Sequence, residues 1–297
     1  MRAAAYTTAA TTIIYTANAS IRPQQVHAES LPSDSKAAIT KMKWSGFTEL
    51  RVHSTEEVNH NVKKITFILP TEDTISGLSP VTSLLSQHWP EDGWLPVLRP
   101  YTPISDNNEQ GQITFMVKKY PGGKASSKMH SLVPGEAMKF KPIHEFDYKP
   151  NEHKSILLLA GGSGITPIYQ LTRAILQNPE DKTKLSLIYA NNAEPDILLR
   201  KEIEELERKY PDRFSKLFTV SKKASSDDSV QTGYIDKAMI TRIFGQGKQP
   251  GQKVLVSGPP SMQEAIGGTK GFFGWTQGNL GGVLKDLGYT KEDVHKF

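Results

Sequence analysis

The fold of this chain is decided by the stretch Ser155-Ile156-Leu157-Leu158-Leu159-Ala160-Gly161-Gly162-Ser163-Gly164-Ile165-Thr166-Pro167. Its first six residues form a continuous apolar run, which is typical of a parallel strand buried on both faces. A glycine-rich turn follows, and Thr166 and Pro167 suit the cap and the first position of a helix. A strand, a glycine turn and a helix N-terminus together accept a dinucleotide pyrophosphate, although a plain strand-to-helix turn has the same elements.

Two further strand–helix units follow this stretch. One has a strand over residues 185–190 and a charged helix over 196–209; the other has a strand over 254–257, a Gly-Pro-Pro turn and a helix that Ser261 begins as part of a capping box. Alternating strands and helices predict a parallel sheet, whose ligands bind beyond the C-terminal ends of the strands. We therefore expect an α/β domain over residues 150–297.

Residues 43–149 have a different character. Short strand-like runs occur over residues 49–53, 62–69 and 112–118, and Pro, Gly and Asn separate them. This pattern predicts an antiparallel barrel or sandwich.

One segment of this domain reads Arg99-Pro100-Tyr101-Thr102-Pro103. The two prolines hold the residues before them extended. The arginine then offers a fork for a phosphate, the tyrosine a flat face and the threonine a hydroxyl. Such a set suits an aromatic ring system with a phosphate tail, and an edge strand with proline is the alternative.

A second segment runs from Lys118 through Pro121-Gly122-Gly123 to Leu132. A strand ends at the turn, and a short helix is predicted to follow with Ser126 or Ser127 as its cap. Glycines followed by the free amides of a helix N-terminus bind anions. An ordinary turn with a solvated basic loop is the alternative.

The composition excludes several classes of protein. The 297 residues carry a formal net charge of +5, with 37% hydrophobic and 23% charged residues, which suits two packed domains rather than a disordered or fibrous chain. The absence of cysteine excludes disulfides, thiolate zinc sites, iron–sulfur clusters and a cysteine nucleophile. The eight histidines have no metal-ligand spacing, so we expect no metal. The small, evenly spread basic excess suits an acidic partner, an anionic cofactor or a membrane surface rather than nucleic acid.

Residues 1–42 are predicted to lie outside both domains. No charged residue occurs between Arg2 and Arg22, and residues 3–21 are rich in Thr with few strongly apolar side chains. This stretch has the length of a membrane span but weak apolarity, and its acid-free composition also suits mitochondrial targeting. We expect a weak membrane anchor, with or without targeting, before a polar linker. A targeting signal alone and an unstructured tail are the alternatives.

The motifs occur in an order that resembles one family. They are Arg99-Pro100-Tyr101-Thr102-Pro103, Gly123-Lys124-x-Ser126, Ala160 to Pro167, Asp196-Ile197-Leu198-Leu199-Arg200 and Gly258-Pro259-Pro260. Over residues 43–297 the chain resembles the NADH–cytochrome b5 reductases of the ferredoxin-reductase superfamily. Its end, from Gly271-Phe272-Phe273-Gly274-Trp275-Thr276 to Lys296-Phe297, resembles the fungal mitochondrial branch. The resemblance implies a two-domain protein, in which an FAD-binding antiparallel β-barrel precedes an NADH-binding α/β domain with a parallel sheet.

The resemblance also implies the site residues. Thr102 and Lys118 stand at the catalytic positions. The positions implied for FAD are Arg99, Pro100, Tyr101, Thr102, Val117, Lys118, Tyr120, Gly122, Gly123, Lys124, Ala125, Ser126 and Thr166. The positions implied for NADH are Gly161, Gly162, Ser163, Gly164, Asn191, Asp196, Gly258, Pro259, Pro260 and Met262.

The chain departs from the family pattern at several positions. Ala125 stands where Met is usual, Ser163 where Thr is common and Ser257 where Cys is frequent. After the strand at 217–220 the family often has Asp, which disfavours a 2′-phosphate. This chain has Ser221-Lys222-Lys223 there, and cationic side chains suit a 2′-phosphate.

The implied reaction is hydride transfer from NADH to FAD, followed by two one-electron steps to cytochrome b5 or a similar acidic haem protein. The positive charges of lysines 118, 119, 124 and 128 are expected to attract that acidic partner. The enzyme is expected to be a monomer. The implied location is the mitochondrial outer membrane, and the intermembrane space is a further location. The N-terminal segment is expected to lie in the membrane. The alternatives are an NADPH-preferring flavin reductase with another acceptor and a non-catalytic, membrane-associated protein that kept the fold and lost the flavin.

Overall fold

The computed structural model describes residues 39–90, 93–223, 225–271 and 276–297, which belong to one compact unit. The predictions for residues 3–21 and for 272–275 therefore lie outside the described residues. The strands are β1 (Thr40–Lys41), β2 (Thr48–Asn59), β3 (Val62–Ile68), β4 (Thr74–Ile75), β5 (Thr82–His88), β6 (Val97–Tyr101), β7 (Gln112–Lys118), β8 (Ala137–His144), β9 (Ser155–Gly161), β10 (Lys184–Asn191), β11 (Phe214–Val220), β12 (Val230–Thr232), β13 (Gln252–Ser257) and β14 (Val294–Lys296). The helices are α1 (Lys124–Ser131), α2 (Ile165–Gln177), α3 (Arg200–Lys209), α4 (Lys237–Phe244), α5 (Pro260–Gly267) and α6 (Gly282–Asp286).

Six strands form an antiparallel sheet in the order β6-β5-β8-β2-β3-β7. The chain just after edge strand β6 reaches the opposite edge, because the Ile104 amide donates to the Thr114 carbonyl of β7 at 2.8 Å. The sheet therefore curls towards closure around Phe67, Phe115 and Phe140, whose ring centroids lie between 5.0 and 5.8 Å apart. The predicted antiparallel barrel is confirmed.

Six other strands form a parallel sheet in the order β12-β11-β10-β9-β13-β14, with β9 inside it. The apolar run of β9 is buried on both faces, as predicted. Ile156 and Leu158 pack with residues of α2 and α3, whereas Leu157 and Leu159 pack with residues of α4, α5 and α6. The predicted α/β domain is confirmed, and its helices cover both faces of the sheet.

The two sheets share a buried core. Every strand of the antiparallel sheet falls within residues 43–149, and every strand of the parallel sheet falls within 150–297. Val62 and Val81 of the first region nevertheless belong to the same apolar cluster as Ile168 of α2. The boundary at residue 150 stays a prediction, and the shared core holds the ends of the two sheets together.

Three helices begin earlier than the sequence predicts. Gly123 caps α1, Gly164 caps α2 and Pro259 caps α5, and none of these residues offers a side-chain hydrogen bond to the helix. The predicted serine and threonine caps therefore fall inside the first turns, and the predicted capping box at Ser261 is wrong. Glycine and proline geometry begins these helices, so their first amides remain without a side-chain partner.

The charged helix also starts later than predicted. The sequence predicts a helix from Asp196, whereas α3 begins at Arg200. A short 3-10 turn covers Glu194–Asp196, and Leu199 then takes a left-handed φ of 55°. That conformation separates the turn from the helix and leaves Asp196 at the end of the sheet.

Candidate functional site

The predicted flavin-side and nucleotide-side residues meet where β7 ends beside the turn after β9. The hydroxyl groups of Tyr120 and Ser163 lie 2.7 Å apart. The Lys118 ammonium lies 4.0 Å from the position that a Cβ of Gly162 would take. Thr166 is buried behind this turn, and its hydroxyl donates to the Ser163 carbonyl at 3.2 Å. The structure therefore brings two segments that are distant in sequence into one junction.

The end of β6 carries the arginine–tyrosine–threonine motif. Thr102 is buried, and its Oγ1 lies 2.7 Å from the Oγ of Ser83. Tyr101 packs against the barrel core, and burial raises its pKa to about 12, while Arg99 acts to lower that pKa and Tyr120 to raise it. Arg99 is exposed and has no carboxylate partner in the part of the chain that the structure describes. Its guanidinium is therefore available to an anion.

The Pro-Gly-Gly turn before α1 forms a cradle that is open at Gly122, whereas a Cβ on Gly123 would lie 2.5 Å from the Ser126 Oγ. Gly122 has a φ of 70°, and no atom lies within 4 Å of the position that its Cβ would take. The Ser126 hydroxyl accepts from the Tyr120 amide and donates to the Gly123 carbonyl, each at 3.1 Å. Ser126 therefore shapes the turn instead of capping the helix. The first amides of α1 and the exposed Lys124 side chain remain for an anion.

These features fit the flavin cofactor that the resemblance implies. A pyrophosphate needs backbone donors and space free of side chains, and the turn at Gly122 provides both. Arg99 supplies a cationic fork, and Tyr101 supplies an aromatic ring beside it. The flavin-side residues therefore fit FAD.

The glycine turn after β9 is packed at Gly161 and Gly164, whereas the nearest atom to a Cβ on Gly162 is the Lys118 Nζ at 4.0 Å. A Cβ on Gly164 would lie 2.3 Å from the carbonyl oxygen of Ser257. A Cβ on Gly161 would lie 2.3 Å from the sulfur of Met262, and one on Gly258 would lie 2.8 Å from the same sulfur. The turns after β9 and β13 therefore touch through their backbones, and only glycine permits that approach.

The nucleotide side carries buried polar atoms without partners. Neither polar atom of the Asn191 amide, at the end of β10, has a hydrogen bond of normal geometry. The Oδ1 atom of Asp196 also has none, and His60 Nε2 lies 3.9 Å away from it. Unpaired buried polar groups are unfavourable, and a polar ligand bound at the end of β10 would satisfy them. This arrangement fits a nucleotide.

Four further predicted residues lie in an edge strand, in the core or at the start of a helix. Pro100 lies in edge strand β6, where its missing amide is tolerated. Val117 and Ala125 are buried beside the cradle. Pro259 caps α5, and Pro260 is the first residue of that helix. These four residues shape the backbone of the junction, and their roles as cofactor contacts stay predictions.

A polar group behind Thr102 is missing from the sequence predictions. Ser83 contacts Thr102, and Glu145 lies close to both Ser83 and Lys270. Burial raises the pKa of Glu145, and Ser83 and Lys270 act to lower it. These residues come from β5, from the connection after β8 and from the loop after α5. No spacing in the sequence links them.

The junction is bordered by a basic rim, which we define as Lys118, Lys119, Lys124 and Lys128. The described residues contain no carboxylate within ion-pair distance of these four lysines, in contrast to Lys63, Lys64, Lys216 and Lys248. Tyr120 lies within the rim and is 48% exposed. Unneutralised positive charge around an exposed aromatic side chain suits an acidic protein partner.

Comparison with known proteins agrees with this geometry. Residues 49–148 match the oxidoreductase FAD-binding domain, and residues 158–267 match the oxidoreductase NAD-binding domain. NADH-cytochrome b5 reductase 2 of Botryotinia fuckeliana is 46% identical over 253 residues, which cover 85% of this chain and 72% of that protein. The protein of the same name from Pyricularia oryzae is 43% identical over 270 residues, which cover 91% and 80%.

A solved structure supports the same assignment. The cytochrome b5 reductase domain of Ulva prolifera nitrate reductase superposes with a TM-score of 0.72 at 29% identity, over 84% of this chain and 97% of that chain. The open cradle, the packed turn and these relatives together establish the family. The chain belongs to the NADH–cytochrome b5 reductases, and it is an FAD-dependent oxidoreductase that takes electrons from NADH.

Proposed function

We propose that this enzyme passes electrons from NADH through FAD to cytochrome b5 or a similar acidic haem protein. The observation that carries the choice of acceptor is the basic rim, which has no acidic partner within the described residues and borders the predicted flavin site. The curated relatives named for cytochrome b5 support the same acceptor.

The residues of the junction have separate roles in holding the flavin and the nucleotide. Bound FAD accepts the hydride and supplies electrons one at a time. Arg99 and the free amides of α1 would hold its phosphates, and the buried Thr102 hydroxyl, which Ser83 contacts, would supply a polar group to its ring. The packed turn after β9 shapes the seat of the nicotinamide nucleotide. The hydrogen bond between Tyr120 and Ser163 fixes the position of the flavin-side residues relative to the nucleotide-side turn.

Charge substitution tests the acceptor. We expect Lys119→Gln with Lys128→Gln to raise KM for cytochrome b5 several-fold, and added salt to act in the same direction, because rim charges steer association. NADH–ferricyanide activity is expected to stay unchanged. Lys237→Gln, an exposed lysine on α4, is the matched control. Reduction of cytochrome b5 that is independent of salt and of both rim lysines would contradict the proposal.

A preference for NADPH is the second candidate, and one feature favours it. The amides of Ser221 and Lys222 donate to the carbonyls of Asn191 and Asn192 at 3.0 and 2.9 Å. The lysine pair therefore begins at the end of β10, close to the predicted nucleotide seat, with no aspartate there. Comparing NADH with NADPH turnover decides the preference. Ser221→Asp is expected to reduce any NADPH activity by charge repulsion, and an unchanged ratio counts against this candidate.

We also propose that residues 3–21 attach the enzyme to the mitochondrial outer membrane. Their uncharged, acid-free composition supports the proposal. Among the described residues no helix has the length and apolarity that crossing a bilayer requires. Alkaline extraction of mitochondria is expected to leave the full chain in the membrane and to release a chain that lacks residues 1–42. Recovery of a shortened chain from the intermembrane space would instead indicate cleavage of the N-terminal segment. The monomeric state stays a prediction, which sedimentation of the solubilised protein checks.

A further inference from the structure

The ammonium group of Lys296, in β14, lies inside the protein among backbone oxygens. Lys296 is 3% exposed. Its Nζ atom lies 3.2 Å from the carbonyl oxygen of Gly267, 3.1 Å from those of Gly268 and Thr269, and 3.4 Å from that of Asn279. We call these four oxygens the carbonyl cage. An ammonium has three N–H donors, so the cage offers a partner to each of them.

The caged ammonium has no counter-ion. No carboxylate of the described residues lies within ion-pair distance of Lys296, whereas Lys248 pairs with Asp293 at 2.7 Å. Burial of a charge is costly, and an apolar side chain of similar volume often stabilises a protein as well as a buried ion does. Stability alone therefore does not account for a lysine at this position.

The cage fixes the C-terminal end of α5. The carbonyls of Gly267, Gly268 and Thr269 lie at the last residue of this helix and just after it. The last carbonyls of a helix have no partner within the helix, and they form the negative end of its dipole. The ammonium supplies both the missing donors and a positive charge. Through Asn279 it also binds the segment that leads to α6.

The backbone of Lys296 is held on both sides. On one side it pairs with Val256 of β13. On the other side, the edge of the sheet, Gln277 Oε1 accepts from the Lys296 amide at 2.7 Å, and Gln277 Nε2 donates to the Lys296 carbonyl at 3.0 Å. The side chain of Gln277 thus replaces a neighbouring strand at this edge. The ammonium is therefore attached to a fixed part of the sheet.

The N-terminal end of α5 is tied to the same strand. Gln263 is buried, and its Nε2 donates to the Gly258 carbonyl at 2.9 Å and to the Phe297 carbonyl at 3.0 Å. The Phe297 amide in turn donates to the Val256 carbonyl at 2.9 Å. Residues 296 and 297 consequently hold α5 at both of its ends.

The position of α5 determines the position of the turn that precedes it. The helix is about 12 Å long, because each residue of a helix rises about 1.5 Å. Gly258 and Pro259 lie directly before its first residue. A Cβ on Gly258 would lie 3.2 Å from the backbone nitrogen of Gly161, so the turn has little freedom against the turn after β9. A shift of α5 therefore changes the predicted nucleotide seat.

We propose that Lys296 is a positioning residue for NADH. Its caged ammonium sets the position of α5, and the contacts of Gln263 carry that position to the turn beside the nucleotide. The ammonium lies at the end of the helix that is remote from this turn, so it acts through α5 and not by contact with NADH. The inference rests on the NADH-oxidising activity and not on the choice of acceptor.

Substitution of Lys296 by methionine tests the proposal, because Met keeps an unbranched side chain and removes the donors. With ferricyanide as acceptor, Lys296→Met is expected to raise KM for NADH about tenfold and to keep kcat within about twofold, as loss of uniform binding does. Calorimetric titration of the oxidised holoenzyme with NAD+ is expected to show about tenfold weaker binding. Lys291→Met, an exposed lysine just before β14, is the matched control and is expected to change neither quantity.

A merely structural role predicts a different result. Lys296→Met would then lose flavin and free energy of unfolding, while the flavin-loaded fraction kept its KM for NADH and its affinity for NAD+. That result would overturn the proposal.

A second variant decides the question if Lys296→Met does not fold. Gln263→Met breaks the contacts with Gly258 and Phe297 at the other end of α5 and is expected to raise KM for NADH in the same way. An unchanged KM and an unchanged affinity for NAD+ in Gln263→Met would overturn the proposal. Failure of the unsubstituted enzyme to reduce cytochrome b5 would instead contradict the proposed acceptor, and these measurements do not depend on it.

Discussion

Two glycine turns border the site, and Gly122 of one and Gly164 of the other are required for opposite reasons. The open turn, Pro121-Gly122-Gly123, has no atom within 4 Å of the position that a Cβ of Gly122 would take. In the packed turn, residues 161–164, a Cβ on Gly164 would strike the backbone of Ser257 at 2.3 Å. Gly122 therefore keeps space free in the first turn, whereas Gly164 permits contact between two turns in the second.

The comparison teaches that a glycine motif does not by itself reveal what the glycine is for. The open turn leaves helix amides free, which suits it to bind a phosphate. The packed turn aligns the ends of β9 and β13, so it shapes the seat that a neighbouring ligand uses. The hydrogen bond between Tyr120 and Ser163 joins the two turns. Substitutions in each turn therefore have different expected consequences.

The largest difference is expected from alanine at one glycine of each turn. Gly164→Ala forces the backbone of Ser257 to move and is expected to lower the free energy of unfolding by about 3 kcal/mol, together with NADH binding. Gly122→Ala meets no atom and costs only its left-handed backbone, about 1 kcal/mol. Urea unfolding of both variants measures the contrast. Equal losses would break the distinction between the turns.

Low pH is expected to destabilise the domain with the parallel sheet through His295. The folded pKa of His295 in β14 is lowered to about 4 by burial and by Lys253 and Lys270, from 6.5 in the unfolded chain. Between pH 6.5 and pH 4, His295 therefore binds a proton in the unfolded chain but not in the folded chain. The free energy of unfolding falls as pH drops from 6.5 to 4, by up to about 3 kcal/mol.

His295→Phe tests this expectation. The substitution keeps a ring against Phe146 and Phe297, whose centroids both lie 4.9 Å from the His295 ring. It is expected to flatten the pH dependence of stability between pH 6.5 and 4 in urea unfolding. His53→Gln, at an exposed position, is the control and is expected to leave the slope as it is. If His295→Phe leaves the pH dependence of the free energy of unfolding unchanged, other groups cause the loss of stability at low pH.

The open turn depends on one hydroxyl. Ser126→Ala removes two hydrogen bonds of 3.1 Å, to the Tyr120 amide and the Gly123 carbonyl, and is expected to cost about 1–2 kcal/mol. The loosened cradle is expected to bind FAD roughly tenfold more weakly. Flavin fluorescence titration measures the affinity. Ser127→Ala, the exposed neighbour, is the matched control, and an equal effect there would deny Ser126 its role.

The smallest effect is expected where the two turns meet. Tyr120→Phe removes the 2.7 Å contact with Ser163 and leaves the ring in place. An exposed hydrogen bond contributes about 1 kcal/mol or less, so stability is expected to change little. The informative measurement is the rate of flavin reduction by NADH, which is expected to fall if the bond keeps the two seats in register. An unchanged rate would make the two turns independent.

Much of the fold follows from local pattern. The apolar run 155–160 predicts a strand buried on both faces, and the runs at 62–69 and 112–118 predict antiparallel strands; the structure confirms all three as β9, β3 and β7. Helix starts were less predictable, because Gly123, Gly164 and Pro259 begin helices through backbone geometry rather than by a side-chain cap.

The candidate site divides in the same way. Arg99, the glycine turns and the Asn191 strand end carry their chemistry in residue type and in their position beside strands and helices. The contacts of Ser83 with Thr102 and Glu145 have no such signal, because they depend on which strands are neighbours.

The sequence by itself determined the order of the two domains, the strands that periodicity marks and the residue types able to bind phosphate, because these depend on short-range spacing. Only the tertiary structure decided which glycine turn is open and which is packed, and which carboxylate stands behind Thr102. Both depend on distances between segments far apart in the chain, and those distances exist only after the two sheets share a core.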